Sequence, residues 1–388
     1  MIQVTHFLRH GANVAEHFGF RHVDTFKSHP DCENCENKLK HSISNQQRKI
    51  DSIYGILTGG LHTFCEEKFH EIKEPILFYS IEQVPRSGEV ALTFHVFNVD
   101  TSIAEALLIQ TMKAFVNELG YEEYKVKINS LGDRDSSNRF ARELSTYLRK
   151  RIDDMPPSAR ELMKNNAIYA LTHLIEKDHE IAQRAPNPLE YLSDSSRKHF
   201  REIIEFLDMA ETPYEIDSQL IGHHECYSDA LFSIDLYNES DIDAKDPEVI
   251  IRGGRFDEFA ERNTQCAIPA VGSVVILKNK QAPKRIPRSK VATPSAYVVQ
   301  LGAGPKMRSL LLIDTLRKAR IPVFQNLASN SLSEQLRDAE KKEARYAVII
   351  GHKEYVEETA ILRDIKLQNQ ENVTLPQVVK KLKRLSTV

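Results

Sequence analysis

Residues 76–99 read ILFYSIEQVPRSGEVALTFHVFNV, and this stretch decides the architecture of the chain. Two segments rich in aromatic and β-branched residues flank PRSG at 85–88, where a proline and a glycine are typical of a turn. The pattern therefore predicts an antiparallel hairpin. Apolar residues with helical spacing follow at 102–121, with Ser102 placed to cap a helix and Gly120 placed to end it.

Regular patterns continue on both sides of the hairpin. An amphipathic helical pattern opens the chain and leads into a predicted strand at 20–26. Runs of strands with helices segregated between them predict an α+β fold, an antiparallel sheet core flanked by helices. The apolar residues of the first helix are Val4, Phe7, Leu8, Val14 and Phe18. Further strands are predicted at 124–133, 225–238, 248–254 and 270–277, and helices at 135–212 with breaks at 155–160 and 184–188.

The C-terminal quarter has a different rhythm. After a basic, proline-containing stretch, strand patterns alternate with helical ones, which predicts βαβ units on a mostly parallel sheet. The predicted domains are a core at 1–277 with a loop insertion at 28–50, a basic linker at 278–295, and an α/β domain at 296–388.

Composition and charge narrow the class of protein. The chain has 388 residues, 41% hydrophobic and 28% charged, which is typical of a globular protein rather than a disordered or fibrous one. No apolar run approaches the roughly 18 residues of a membrane span, and no signal-peptide core is visible, so we expect a cytoplasmic protein without a membrane partner.

The formal net charge of −3 conceals an asymmetry between the two ends of the chain. Residues 278–388 carry 22 Lys and Arg against 10 Asp and Glu, a balance of +12, whereas residues 1–277 have a balance of −15. The basic part either meets a polyanion, most simply a nucleic acid, or docks on an acidic domain of the same chain.

Five cysteines are too few and too scattered for a disulfide framework. Two of them lie in the spacing HxxCxxCxxxxxH, which places imidazole and thiolate groups in one short polar loop and predicts a zinc site. The alternative is that these cysteines have no role. The four candidate ligands are His29, Cys32, Cys35 and His41.

Several ordered motifs resemble those of the histidyl-tRNA synthetase family. They are INSLGDRDS at 128–136, APNPLEYL at 185–192, LIGHHECYSDALF at 220–232, IRGGRFDEF at 251–259 and IPAVGSVVIL at 268–277. Residues 316–351, LRKARIPVFQNLASNSLSEQLRDAEKKEARYAVIIG, resemble that family's anticodon-binding domain. The resemblance implies a class II synthetase core, a homodimer formed through the N-terminal helix-strand region, and a mobile C-terminal domain that grips the tRNA anticodon stem. It also implies ATP-dependent attachment of histidine to tRNA, with ATP and Mg²⁺ expected only in an active enzyme.

The sequence departs from this family where the substrates would bind. Leu92 and Thr93 stand in place of Arg-Glu, and Val96 stands in place of glutamine. Gly222 replaces the arginine of the histidine-specific motif, and Asn279 replaces that of the third class motif. Apolar side chains cannot neutralise a phosphate, so the pattern predicts impaired catalysis unless other groups substitute. The candidates for substitution are Arg86, Lys278 and His223.

Two sets of functional residues follow. The ligand-pocket candidates are Arg86, His223, Glu225, Tyr227 and Arg255. The candidates for RNA phosphate contacts are Lys284, Arg285, Arg288, Lys290, Lys380, Lys381, Lys383 and Arg384. Arg255 either binds an anionic ligand or forms a salt bridge with an acidic neighbour, and the glycines before it either let a ligand approach or serve a tight strand end.

Three functions fit the sequence. The favoured one is a divergent, catalytically impaired paralogue, a pseudoenzyme, that binds tRNA or another structured RNA. The first alternative is a regulatory subunit acting through protein contacts, similar to the synthetase-like regulator of ATP phosphoribosyltransferase. The second alternative is an active histidine–tRNA ligase with a rearranged site. The regulator's family generally lacks the anticodon-binding domain, so the basic C-terminal domain favours RNA binding.

Overall fold

The described residues of the computed structural model form two compact units. One unit contains the described residues of 2–23, 63–122 and 276–386, and the other contains those of 59–61 and 123–275. The predicted domain boundaries at 277 and 296 stay a prediction. The residues that the structure describes are 2–23, 59–61, 63–65, 74–84, 87–222, 226–237, 246–264, 267–279, 296–327, 329 and 331–386.

The first unit begins with helix α1 (Val4–His17), whose predicted apolar stripe is confirmed as buried. Gly19 adopts a φ of 90°, which lets the chain leave the helix for the short strand β1 (Arg21–His22). Strand β1 pairs in parallel with β2, the first strand of the hairpin.

The predicted hairpin is confirmed as strands β2 (Ile76–Gln83) and β3 (Val90–Phe97), paired antiparallel with Ser80 opposite Thr93. Leu92 lies on the face covered by α1, where a Cβ on Gly11 would come within 2.2 Å of its Cδ1 atom. Helix α2 (Ile103–Glu118) follows as predicted. One face of the hairpin therefore packs against α1.

The second unit holds five strands in the order β8-β7-β6-β4-β5. Strand β6 is antiparallel to both of its neighbours, β7 and β4, whereas β4 and β5 are parallel. This arrangement confirms the α+β fold class, although β5 and helix α8 were not predicted. The strands are β4 (Val126–Ser130), β5 (Tyr214–Ile216), β6 (Ser228–Leu236), β7 (Val249–Arg255) and β8 (Ala270–Leu277), of which β8 lies in this unit up to residue 275. The helices are α3 (Arg134–Arg149), α4 (Pro157–Asn165), α5 (Ala167–Glu176), α6 (Glu180–Gln183), α7 (Asp194–Met209) and α8 (Asp257–Thr264).

The motif at 128–136 joins two helix N-termini through side-chain hydrogen bonds. Asp133 caps α3 by accepting from the Ser136 backbone N–H at 2.9 Å, and its carboxylate also accepts from the Ser193 hydroxyl at 2.6 Å. Ser193 in turn caps α7. Burial raises the pKa of Asp133, but these hydrogen bonds outweigh it and hold the pKa below its usual value.

The C-terminal residues form a sheet of their own, in the order β10-β9-β11-β12-β13. The predicted mostly parallel sheet is half wrong: β10, β9 and β11 are parallel, but β12 and β13 are antiparallel additions. The connections at 351–358 and 365–369 are too short for the crossovers that parallel strands require. The strands are β9 (Ala296–Gln300), β10 (Val323–Gln325), β11 (Tyr346–Ile350), β12 (Thr359–Asp364) and β13 (Gln370–Thr374).

Helices cover this sheet and close its core. They are α9 (Ala303–Lys318), α10 (Leu332–Lys341), α11 (His352–Val356) and α12 (Leu375–Ser386). Tyr297, Val299 and Ala347 lie at the centre of one buried cluster, against which Phe324 and Ile361 pack. Among the described residues, no helix has the length and apolar character needed to cross a membrane.

We expect Asp133→Ala to lower the free energy of unfolding by about 1–2 kcal/mol, because α3 loses its N-cap and Ser193 loses an acceptor. The control Asp135→Ala removes the same charge from an exposed position in the first turn of α3. The Asp133 contribution is present above the usual carboxyl pKa and disappears as the pH falls through its lowered value. Urea titrations at neutral and acid pH measure this, and equal losses for both variants at neutral pH would contradict it.

Candidate functional site

The glycine pair at the end of β7 allows close packing of the second unit's sheet. A Cβ on Gly253 would lie 2.4 Å from the Phe232 ring and 2.9 Å from the Gly272 carbonyl oxygen. A Cβ on Gly254 would lie 2.8 Å from the Ala230 carbonyl oxygen. Both positions therefore require glycine for packing alone, without any ligand.

Arg255 follows this pair and is buried, with 2% of its side chain exposed. Its Nη1 atom lies 3.3 and 3.4 Å from the two carboxylate oxygens of Asp257. Asp257 also accepts a hydrogen bond from the Ala270 backbone N–H at 2.7 Å, so it fixes the end of β7 to the start of β8. Asp257 is therefore the acidic neighbour that the salt-bridge interpretation of Arg255 requires.

Tyr227 lies in a buried cluster beside this sheet. Its ring and the Leu231 side chain both flank Gly222, whose added Cβ would come within 2.9 Å of each. Asn129 pairs with Leu231 across the strands and donates to the Leu220 carbonyl oxygen at 3.0 Å. Strand pairing and packing thus bring Tyr227, Leu231 and Asn129 together around Gly222.

Three polar atoms at Tyr227, Ser228 and Asn129 are buried without a hydrogen-bond partner within the described part of the chain. These atoms are the Tyr227 hydroxyl, the Ser228 hydroxyl and the Asn129 side-chain oxygen. Burial raises the pKa of Tyr227, so its hydroxyl remains a neutral donor at physiological pH. The group can hydrogen-bond a water molecule or another small polar partner.

Gly222 leaves no space for the arginine that the family motif would place there. It has a φ of 62°, in the left-handed region that favours glycine. Since its Cβ would already meet Tyr227 and Leu231, a longer side chain requires both neighbours to move.

The hairpin of the first unit carries a second polar group, on the face opposite Leu92. The Thr93 and Ser80 hydroxyl oxygens lie 2.5 Å apart, and Ser80 donates to a Glu82 carboxylate oxygen at 3.1 Å. Thr93 therefore donates to Ser80. His95 lies farther along this face, with its ring centroid 4.9 Å from that of Phe78.

Burial controls the ionisation of this hairpin face. It raises the pKa of Glu82 to about 7, against which the Ser80 hydrogen bond acts, and it lowers the pKa of His95 to about 3. At neutral pH the face offers hydroxyl groups, a partly protonated carboxyl and a neutral imidazole. None of these four side chains supplies a positive charge for a phosphate.

Sequence reasoning missed Ser80, Glu82 and His95 as site residues. The alternation of side chains along each strand shows which residues of one strand share a face. To place Ser80 beside Thr93, however, one also needs the register between the two strands. Leu92 and Val96, which the sequence predicts to replace substrate-contact residues, are buried on the other face. Side chains at those two positions cannot reach a ligand bound beside Glu82.

Many candidates from the sequence lie outside the described residues. They are Arg86, His223, Glu225, the linker residues Lys284, Arg285, Arg288 and Lys290, and the zinc candidates His29, Cys32, Cys35 and His41. Within the residues that the structure does describe, no three potential ligands cluster as a metal site.

Helix α12 presents the C-terminal basic candidates. Its apolar side is buried through Val378 and Leu382. Lys380, Lys383 and Arg384 are exposed on the helix, whereas Lys381 is half-buried and paired with Glu371. The basic side chains thus form a surface on the solvent side of the C-terminal domain.

Comparisons with known proteins find similarity to an anticodon binding domain and to histidine–tRNA ligases. The family model described as an anticodon binding domain matches residues 297–385. Histidine–tRNA ligases from Latilactobacillus sakei and Thermotoga maritima are 26% and 27% identical over 79% and 74% of this chain, and over 74% and 68% of their own lengths. A chloroplastic histidine–tRNA ligase from Porphyra purpurea is 24% identical over 73% of this chain and 65% of its own.

Solved structures that match include apo histidyl-tRNA synthetase from S. aureus, at 16% identity and a TM-score of 0.46, covering 84% of this chain and 81% of that one. A protein from Bacillus halodurans, described as an ATP phosphoribosyltransferase regulatory subunit/histidyl-tRNA synthetase, matches at 15% identity and a TM-score of 0.46. That match covers 89% of this chain and 93% of the other.

Deleting the buried Tyr227 hydroxyl with Tyr227→Phe should leave the free energy of unfolding unchanged or raise it, because no described residue accepts its hydrogen bond. The matched control is Tyr297→Phe, which removes a hydroxyl that donates to Asp338 at 2.7 Å. That control should lose about 1.5–3 kcal/mol, as expected for a hydrogen bond to a charged group. Urea unfolding of both variants measures the contrast, and a loss at Tyr227 equal to that at Tyr297 would show that its hydroxyl has a partner.

Proposed function

We propose that this chain, which belongs to the histidyl-tRNA synthetase family, is a divergent and catalytically impaired paralogue that binds tRNA or another structured RNA through its C-terminal domain. The observation that carries the proposal is the match of an anticodon binding domain to residues 297–385. That domain is retained, while the substrate-contact positions of the core have changed.

The surface of α12 supports the RNA-binding part of the proposal. Lys380, Lys383 and Arg384 are exposed beside one another at the end of the domain. Basic side chains bind RNA mainly through phosphates, with release of condensed counterions. Unstacked bases of a tRNA loop would then contact other side chains of the same domain.

The chemistry of the hairpin supports the impaired-catalysis part. Activation of an amino acid by ATP needs positive charge beside the phosphates while charge develops in the transition state. Ser80, Glu82, Thr93 and His95 offer none, and an ionised Glu82 would repel ATP. The described hairpin residues therefore do not fit a bound triphosphate.

Missing electrostatic groups have large effects on rate. Removal of one preorganised donor typically lowers kcat by about 100- to 1000-fold. Here the described residues of the hairpin face include no cation, and a side chain at Gly222 would require Tyr227 and Leu231 to move. The combined change exceeds what one substituted group can restore.

The proposal keeps three further expectations from the sequence and the family. The chain is expected to act in the cytoplasm and to form a homodimer through its N-terminal helix-strand region. A zinc ion held by the loop at 29–41 also stays a prediction.

Histidine-dependent exchange of pyrophosphate into ATP should remain at background, because Ser80, Glu82, Thr93 and His95 on the described hairpin face carry no positive charge for the phosphates. A histidine–tRNA ligase of the family, assayed in parallel, is the positive control. Exchange clearly above background would favour an active ligase with a rearranged site. Testing each of the other amino acids in turn checks for a changed substrate.

Binding of total tRNA should weaken steeply with salt, by about 0.7–0.9 log unit per phosphate contact for each log unit of salt. The triple variant Lys380→Glu, Lys383→Glu, Arg384→Glu should weaken binding and flatten this slope. The matched control reverses three exposed lysines on helices of the second unit, or next to them: Lys164, Lys177 and Lys198. Filter binding at two salt concentrations measures both, and equal effects of the two triple variants would contradict α12 as the RNA surface. No binding by the wild type would instead favour the regulatory-subunit alternative.

A further inference from the structure

Helix α1 carries two histidines on one of its faces. His6 and His10 lie four positions apart, a spacing that makes two side chains neighbours on a helix surface. Their ring centroids are 4.1 Å apart, and the ring planes are tilted by 48°. His6 is exposed and His10 is half-buried. Two imidazoles are thus adjacent at a position that solvent reaches.

A carboxylate from α2 holds the His10 ring. The His10 Nδ1 atom lies 3.1 Å from the Glu118 Oε2 atom, and the other carboxylate oxygen of Glu118 pairs with Arg317 of α9. Burial raises the pKa of Glu118, but the hydrogen bonds and charges of Arg317 and His10 outweigh it and keep the pKa below its usual value. Glu118 is therefore ionised at neutral pH and accepts a hydrogen bond from Nδ1. In the neutral imidazole this leaves Nε2 as the nitrogen without a proton.

A carboxylate on one imidazole nitrogen is typical of a histidine that binds a metal through the other nitrogen. The hydrogen bond fixes the tautomer and the orientation of the ring, and it makes the second nitrogen a stronger ligand. Glu118 stands in this relation to His10. The His10 ring is therefore oriented as a metal ligand, with its Nε2 atom available.

The distance between the two rings suits one shared ion. With metal–nitrogen bonds of about 2.0–2.1 Å, two imidazoles on one ion have centroids about 4.5–5 Å apart. The observed 4.1 Å is slightly shorter, so the exposed His6 ring needs to move outward by only about 0.5–1 Å. Within the part of the chain that the structure describes, no three potential ligands form a metal site, so water supplies the remaining ligands.

We propose that His6 and His10 form a binding site for a divalent transition-metal ion, with Glu118 as the group that orients His10. Imidazole nitrogen suits Zn²⁺, Ni²⁺ and Cu²⁺, whereas Mg²⁺ and Ca²⁺ prefer oxygen ligands. The ion joins two successive turns of α1, and through Glu118 it strengthens the contact between α1 and α2. This site is separate from the loop at 29–41 and does not depend on the proposed RNA binding.

Equilibrium dialysis of Ni²⁺ against the full chain, expressed without a polyhistidine tag, measures binding at the site. His6→Gln and His10→Gln should each bind about one equivalent less Ni²⁺ per chain than the wild type. The matched control is His17→Gln, which removes a half-buried histidine of the same helix whose Nδ1 atom lies 2.8 Å from the Asn13 carbonyl oxygen. This control should bind as the wild type does. Ni²⁺ held by the loop at 29–41 is common to all four proteins, so the differences report on α1 alone.

Hydrogen exchange with and without Ni²⁺ locates the ion. Bound Ni²⁺ should slow amide exchange in α1 of the wild type and of His17→Gln, because it joins residues one turn apart. The His6→Gln variant should show no such slowing. Mg²⁺ at the same concentration should leave exchange in α1 unchanged in every protein, since it prefers oxygen ligands.

Two charge variants should change the affinity for Ni²⁺ in opposite directions. Glu118→Gln keeps both imidazoles but removes the orienting carboxylate, so the affinity should fall by about 10- to 100-fold. The pKa of His6 is lowered by burial and then by the charges of His10 and Arg9, so the Arg9 charge reaches the site. Arg9→Gln removes this repulsion, and the affinity should rise by roughly two- to fivefold.

Three results would overturn the metal site and leave the two rings as an aromatic contact only. One is a His6→Gln variant that binds Ni²⁺ with the stoichiometry and affinity of the wild type. Another is an equal loss of Ni²⁺ in His17→Gln, which would indicate adventitious binding by surface histidines. The third is Ni²⁺ binding to the wild type without slower exchange in α1.

Discussion

The alternation of side chains along the β2–β3 hairpin is the constraint on which the rest of the first unit depends. Residues at successive positions point to opposite faces, so Leu92 and Val96 share the face that α1 covers while Thr93 and His95 share the other. The apolar face cannot accept a charged group without losing its packing. Polar chemistry is therefore restricted to the second face, where burial sets the protonation of Glu82 and His95.

In the second unit, close packing around two glycines restricts which side chains can be present. Gly253 lies so near a neighbouring ring and carbonyl that a methyl group does not fit, and Gly222 is similarly confined between Tyr227 and Leu231. A motif that could have indicated close approach of a ligand is thus explained by the approach of the protein's own strands. The same packing leaves the Tyr227 hydroxyl buried as a neutral donor that has no acceptor among the described residues.

Local patterns predicted the helices other than α8, the hairpin and the change of rhythm in the C-terminal domain, because each depends on neighbours along the chain. They failed where the outcome depends on pairing. Strand β5 is only three residues long, and the direction of β12 and β13 depends on the lengths of their connections. The register of the hairpin is needed to place Glu82 on the same face as Thr93. The contact of Arg317 with Glu118 joins residues 199 positions apart in the sequence, which local patterns do not predict.

The charge asymmetry of the chain has two interpretations: the basic part binds a polyanion, or it contacts an acidic part of the same chain. The burial of individual basic side chains indicates which of them suit each role. Arg317 is buried and paired, so it acts at short range in one fixed contact with an acidic residue of the N-terminal half. Lys380 and Lys383 are exposed, so their fields are screened by salt and can attract a mobile polyanion. A buried cation is unavailable to RNA, and an exposed one contributes little to docking. The basic domain can therefore bind the acidic part of its own chain and an external polyanion at once, through separate surfaces.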